Sequence, residues 1–351
     1  MLLYIHIPFC DSKCFYCAFN SYVDKFHLKE AYMLALEKQL RFELKRFHAT
    51  QNSIETLFIG GGTPSTVSPK LYEPIFTLLQ PYLTQECEIT TEANPNSATE
   101  EWLEGMFALG VNRLSFGVQS FDAQKLKLLN RAHTPQMAKD AITHANQIGF
   151  KNISLDLIYA TKGDTKFLLQ NDLKEAFALP INHLSAYALT IEEDTVFEKK
   201  PAMATEQLSL TQWLFDKITA HGFKQYEISN FGTYHSKHNI GYWRYKDYIG
   251  VGAGAVGKHQ KQRFYPTPEI ESYIKDPLNI QTELLNEEEI HLEKIFLGVR
   301  SLVGIHKDEL TPHELQRAQI LTQENKLIEQ EAFYYNPDYL LADEIALFLT
   351  S

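Results

Sequence analysis

Tyr4-Ile5-His6-Ile7-Pro8-Phe9-Cys10-Asp11-Ser12-Lys13-Cys14-Phe15-Tyr16-Cys17-Ala18-Phe19 places three of the chain's four cysteines within eight residues, spaced C-x3-C-x2-C. The alternating apolar run before them reads as a strand, so the thiols sit in a loop at its C-terminal end. Three thiolates so spaced can each bind one iron of a [4Fe-4S] cube and leave the fourth iron without a protein ligand. Zinc is the competing reading. Structural zinc takes four ligands, usually as two separated pairs, and this chain offers only His6 nearby. Cysteines with a purely structural role would not need the crowding. The fourth, Cys87, stands apart in Gln85-Glu86-Cys87-Glu88 and reads as a partly buried free thiol.

Working outward, 351 residues allow one large domain or a core domain with a smaller companion. Hydrophobic content of 44% and charged content of 22% belong to an ordinary globular protein. A net charge of -11 opposes broad binding to nucleic acid, which needs a concentrated basic face. No run approaches the about 18 apolar residues of a membrane span, and the start lacks the features of a secretion signal. A cytoplasmic protein is expected, with its thiols kept reduced.

Residues 1 to about 190 alternate short apolar runs with amphipathic stretches, the pattern of parallel strands joined by helical crossovers. Six strands are predicted, at 2–8, 56–60, 88–94, 113–118, 153–159 and 184–190. Helices are predicted near 28–48, 69–81, 99–108, 122–130, 135–148 and 165–178. Six such units suit a doubly wound sheet or an incomplete barrel, and periodicity does not choose. Beyond these come a helix at 204–221, an aromatic and glycine-rich stretch from Tyr234 to Gly257, and a Glu/Leu/Lys-rich tail with helices at 286–301 and 312–322. The expected divisions are a core at 1–200, an extension at 201–268 that closes it, and a small helical C-terminal domain at 269–351.

Several further residues fall where strands end. Gly60-Gly61-Gly62-Thr63 follows the second strand, where residues lacking a Cβ let a ligand lie against backbone amides. Glu92 and Gln119 end the third and fourth strands, and Asp156 lies in the fifth; polar groups at strand C-termini face the site in barrels. The cysteine spacing resembles that of the radical S-adenosylmethionine (SAM) superfamily, whose cluster binds the amino and carboxylate groups of SAM at its open iron. Tyr4-Ile5-His6-Ile7-Pro8-Phe9-Cys10 is similar to the oxygen-independent coproporphyrinogen III oxidase group within it. The resemblance covers nearly the whole chain and implies an open (β/α)6 partial TIM barrel with SAM at the C-terminal strand ends. It also implies that the glycines, Thr63, Glu92, Gln119, Asp156 and Arg131 grip the methionine and ribose portions, with Tyr4, Tyr16 and Ile158 flanking the adenosyl group. One departure stands out: the group continues Asp-Leu-Ile-Tyr with Gly-Leu-Pro, whereas Tyr159 is followed by Ala160-Thr161-Lys162-Gly163.

The group contains a dehydrogenase and a branch of heme chaperones. The dehydrogenase carries an extra cysteine two positions after the third and a long N-terminal extension; here Phe19 stands at that position and Cys10 lies close to the start. Both features resemble the chaperone branch, which implies heme as ligand and delivery to membrane respiratory enzymes, with approach to the membrane only at that step. His238-Asn239-Ile240-Gly241-Tyr242-Trp243 is similar to a pattern proposed for heme handling. Imidazole can ligate heme iron and aromatic rings can pack on the macrocycle. In the other reading His238 is part of a structural cap over the barrel mouth. Oxidative decarboxylation of coproporphyrinogen III is the alternative function. Histidines elsewhere, His235 and His259 among them, read as surface residues, and the acidic Glu287-Glu288-Glu289 as a solvated face or a contact with a partner, such as a second copy in a homodimer.

Overall fold

The computed structural model describes residues 1–205 and 207–351. Six strands, β1 (Leu2–Ile7), β2 (Ile54–Gly61), β3 (Leu83–Ala93), β4 (Arg113–Gln119), β5 (Asn152–Tyr159) and β6 (His183–Ala188), pair in sequence order, all parallel. Helices Lys29–Arg46, Pro69–Leu79, Glu100–Ala108, Pro135–Ile148 and Lys166–Phe177 make the crossovers, as expected for parallel neighbours. Each predicted strand is present to within a few residues. The exception is β3, which begins five residues before the expected Glu88.

The sheet continues on both sides. After β6 come β7 (Lys224–Gln225) and β8 (Asn230–Gly232); beside β1 come β9 (Tyr248–Val251), β10 (Gly257–His259), β11 (Gln262–Pro266) and β12 (Ile280–Leu284). The twelve described strands run β12-β11-β10-β9-β1-β2-β3-β4-β5-β6-β8-β7, a linear order with β12 and β7 at its ends. Strand β9 pairs with β1 in parallel, Leu2 beside Tyr248, while β10 to β12 fold back antiparallel.

Strand alternation gives the parallel sheet two unlike faces. Leu3, Ile5, Ile7, Leu57, Ile59, Leu114, Phe116, Leu155, Leu157, Leu184 and Ala186 are buried in the main apolar core under the crossover helices. The other face is polar, and register sets it out in rows: Phe58 beside Thr90 and Thr90 beside Arg113; Glu92 beside Ser115 and Ser115 beside Ser154; Asp156 beside Ser185.

The lower rows of this polar face are plugged by the segment from Tyr226 to Trp243. Glu88 accepts hydrogen bonds from Tyr234 Oη (2.7 Å) and the backbone N–H of Lys237 (2.9 Å) and His238 (3.0 Å). His183 shares its ring nitrogens with Ser154 Oγ (2.6 Å) and Tyr226 Oη (2.7 Å). His183 is therefore buried rather than on the surface, because a bonded imidazole fills an interior position at little cost, and His133 is buried as well, with Nε2 2.9 Å from Val118 O. His235 is half-buried against Tyr226, with ring centroids 4.4 Å apart. With these lower rows filled, the C-terminal ends of the strands remain open.

A second apolar cluster, from Ile295 to Leu349, joins helices Glu287–Val299, Pro312–Gln323 and Ala342–Thr350 to a small sheet of β13 (Ile305–His306), β14 (Ile328–Gln330) and β15 (Phe333–Tyr335). Capping boxes at Asn286/Glu289 and Thr311/Glu314 start the first two helices, each satisfying backbone donors that a helix leaves open. The helix Ala342–Thr350 has no counterpart in the sequence expectations. This lobe is tied to the barrel by Ile228 N–H on Arg300 O (3.0 Å) and Leu302 N–H on Tyr226 O (2.8 Å). No described helix is long and apolar enough to cross a membrane.

Candidate functional site: two cavities beside the first strand

Cys10, Cys14 and Cys17 lie in one cavity of about 570 Å³ at the C-terminal ends of β1 to β6. Burial pushes the Cys10 and Cys17 thiols up, and the neighbouring thiols add to it in each case. A hydroxyl and a guanidinium reach two of the sulfurs. Thr63 Oγ1 lies 3.3 Å from Cys10 Sγ, and Arg131 Nη1 donates to Cys14 Sγ at 3.3 Å. Asn94 joins these two through Arg131 Nη2 to Asn94 Oδ1 (2.7 Å) and Asn94 Nδ2 to Thr63 Oγ1 (3.0 Å). The guanidinium also donates to Gly117 O. Sequence reasoning did not single out Asn94. Its signal was its place just after β3, before Pro95, where a side chain points into the site.

Gly61 has φ of +111°, and a Cβ there would sit 2.5 Å from the His6 ring; a Cβ on Gly62 would sit 2.8 Å from Phe9 O. Both positions need glycine to bring the chain against the cysteine loop. Gly61 N–H donates to Glu92 Oε2 at 3.1 Å. Gly60 packs between Phe58 and Glu92, behind the cavity wall.

Glu92 is held up at about 7, by burial first and then by the charge of Asp156. Asp156 is held up at about 6, mainly by burial, against hydrogen bonds from Ser185 and Ser115. Gln119 ends β4 at φ +68°, beside a break in the register with β5. Its Oε1 and Arg131 Nε are buried without a hydrogen-bond partner in the protein. Orphaned groups at a strained position in a cavity are the mark of a ligand site. Tyr16 and Ile158 line the same cavity.

The residues present fit a [4Fe-4S] cluster with SAM. Among the described residues no three His, Cys, Asp or Glu side chains converge on a point that one ion would fill. A cube instead takes each thiolate at a separate iron, so three thiols around a space suit it better than they suit zinc. A cluster held there would supply electron transfer and a coordination position. The protein supplies charge-assisted donors to two sulfurs, a guanidinium suited to a carboxylate, and two acids that can accept from hydroxyl or amino groups.

A second cavity, of about 710 Å³, lies on the other side of the Ala18–Phe19 segment, which lines both. Its walls include Tyr4, Phe58, Tyr242 and Tyr248, with Lys258 and Arg263 at one end. Tyr4, expected beside the adenosyl group, lines this cavity instead. It lies within β1, below the strand end, where its ring stacks on Phe58 and its hydroxyl meets His6 Nδ1 at 3.0 Å. His238 is buried in the short helix Lys237–Trp243 with both ring nitrogens engaged, Nδ1 with Thr56 Oγ1 (2.7 Å) and Nε2 with Tyr242 Oη (2.9 Å). Burial pushes its pKa down to about 3, so it is neutral. Trp243 lines neither cavity; its Nε1 is buried and unpartnered.

The profile of the Radical SAM superfamily matches residues 4–175. A protein of Bacillus subtilis (strain 168) named Heme chaperone HemW is 34% identical over 94% of this chain and 97% of its own length. This chain belongs to the radical SAM superfamily, in the HemW family. A member from Escherichia coli (strain K12), also named Heme chaperone HemW, is 38% identical over 73% of this chain and 69% of its own. The family's fold is that of the solved coproporphyrinogen III oxidase (HemN) from Escherichia coli, with a TM-score of 0.83 over 100% of this chain and 90% of that one, at 20% identity. The small, mainly helical C-terminal region lies within that likeness.

The departure after β5 has a structural reading. Ala160 takes φ of +60°, and the following turn is pinned by Lys162 N–H on Met203 O (2.7 Å) and Thr205 N–H on Ala160 O (2.8 Å). The chain pays backbone strain where the resembled group has glycine.

Proposed function

We propose that this protein is a heme chaperone of radical SAM type, which holds a [4Fe-4S] cluster on Cys10, Cys14 and Cys17, binds SAM beside it, and carries heme in the second cavity to membrane respiratory enzymes. The observation that carries the reading is the aromatic cavity, of a size suited to a cofactor, sharing the Ala18–Phe19 wall with the cluster cavity. Phe19 is 68% exposed where a dehydrogenase of this group has a thiol. The chain's similarity to proteins named Heme chaperone HemW runs along nearly its whole length.

Tyr4, Phe58 and Tyr242 offer apolar ring surface to a macrocycle. His238 serves the plug first: it becomes a heme ligand only when Tyr242 Oη gives up Nε2. Within the cluster cavity, Arg131 Nε and Gln119 Oε1, both unpartnered in the protein, take polar groups of the methionine portion, and Glu92 and Asp156 accept from the amino group and ribose. The test is anaerobic cluster reconstitution followed by heme titration and a coproporphyrinogen decarboxylation assay on the same sample. Saturable heme binding without formation of protoporphyrinogen IX is expected. Protoporphyrinogen formation would replace this reading with the dehydrogenase, and absence of heme binding would remove it.

A further inference from the structure

One end of the second cavity carries an arrangement that the heme reading does not use. Strand register puts Tyr248 beside Lys258, Lys258 beside Arg263, and Arg263 beside Glu283 across β9 to β12. Two cations directly opposite one another on a sheet repel, so such a pair costs stability unless anions answer it. Both face the cavity, and Lys258 is buried.

The anions that answer them differ in origin. Lys258 Nζ pairs with Asp247 at 3.0 Å, and its ammonium lies 4.1 Å from the centre of the Tyr245 ring; both partners belong to the same part of the sheet. Arg263 pairs closely with Glu293, which comes from the helix Glu287–Val299 of the C-terminal lobe, and more loosely with Glu283 of β12 at 3.8 Å. Glu293 also accepts from Tyr245 Oη at 2.6 Å. A single carboxylate from the lobe thus closes the cationic end of an aromatic cavity. Tyr245, Arg263 and Glu293 are all partly exposed, so the contact exchanges with solvent at modest cost.

We propose that Arg263, assisted by Lys258, holds the carboxylates of the cavity's ligand, and that Glu293 is a built-in competitor whose displacement releases the cavity-facing edge of the C-terminal lobe. The ligand class is a flat aromatic diacid. Rings along the wall take the apolar body, and a guanidinium fork takes a carboxylate with two parallel hydrogen bonds. When the ligand's carboxylate occupies that fork, Glu293 and its helix lose their hold on Arg263, and the lobe registers that the cavity is full. The proposal rests on the second cavity being the porphyrin site.

The test titrates the full-length, cluster-reconstituted protein with heme, metal-free protoporphyrin IX and its dimethyl ester. Wild type is compared with Arg263→Gln, Arg263→Lys and Glu293→Gln, with thermal melts to show that each is folded. Arg263→Gln is expected to weaken the two diacids about tenfold, a loss typical of one charge-assisted contact. Arg263→Lys restores part of this, Glu293→Gln tightens diacid binding, and the ester responds to none of them. Hydrogen exchange over residues 287–299 is expected to quicken when the diacid binds, and to be quick already in Glu293→Gln. Equal diacid affinities across wild type and variants would overturn the anchor and latch while leaving heme binding intact. Failure of every form to bind heme or diacid would remove the porphyrin reading itself, and this inference with it.

Discussion

The two cavities share a wall and little else. The cluster cavity is assembled from the ends of consecutive parallel strands, so each side chain arrives at a place set by sheet register, and its groups are joined in one relay from Arg131 through Asn94 and Thr63 to Cys10. The aromatic cavity is assembled from β1, β2, a plug segment, an added antiparallel extension and a helix of another lobe. The first is rigid by construction, whereas the second depends on contacts that can open. Chemistry that needs fixed geometry belongs in the former; uptake and release of a bulky ligand belongs in the latter.

Breaking one cavity and sparing the other tests that contrast most strongly. Cys14→Ser is expected to abolish the visible absorbance of a reconstituted cluster and SAM binding with it, while heme titration of the second cavity persists. Next in size is Arg131→Gln. It leaves Asn94 Oδ1 and Gly117 O without their buried donor, and a loss of about 3 kcal/mol in denaturant unfolding is expected. Heme affinity should again be spared.

The pH dependence of the apo protein sharpens the same contrast. Glu92 is raised to about 7 and Asp156 to about 6, above the ordinary carboxylate range, so the folded state holds protons that the unfolded chain has released. The stability they lend is complete below about pH 4 and is lost as pH rises to about 7. Glu43 and Glu227 are also held near 7 by burial, so the comparison is with the variant. Thermal melts of Glu92→Gln/Asp156→Asn should fall less steeply across that window than those of wild type. A slope equal to that of wild type would contradict the burial of these acids. In the second cavity, Tyr242→Phe removes one hydrogen bond to His238 and should cost about 1 kcal/mol in unfolding. It also frees Nε2, so a shift in the heme spectrum on this change would identify His238 as the ligand. Smallest is Ala160→Gly. Relieving φ of +60° should stabilise the protein by about 0.5–1 kcal/mol, read as a higher melting temperature with no change in either ligand.

The cavities also differ in how far they could be read from sequence. Parallel strands announce themselves by apolar runs and place their last residues at one end of the sheet, and Cys10, Cys14, Cys17, Gly61, Thr63, Glu92, Gln119, Arg131 and Asp156 accordingly line one cavity. Tyr4 was misplaced because the side chain of a mid-strand residue is assigned to a cavity by depth as well as by face. Asn94 was missed because an Asn before Pro reads as a turn. Strands β9 to β12 were missed for a different reason. They are three to five residues long and formed by pairing with β1 and with one another rather than by local pattern. Arg263 and Glu293 meet across two parts of the chain whose sequence says nothing of the contact.

The place of β1 between β2 and β9 also governs the order of assembly. During synthesis β1 can pair with β2 early, but its other edge stays open until Tyr248–Val251 has left the ribosome. Closing that edge is a contact of very long sequence separation and therefore a slow step. The cysteine loop follows β1 directly, and its Asn20 Nδ2 is anchored by Ala253 O (2.9 Å) and Pro268 O (2.8 Å), which arrive just as late. A nascent chain thus presents its thiols long before their enclosure exists, and acquires the second cavity only once the lobe that latches it has been made.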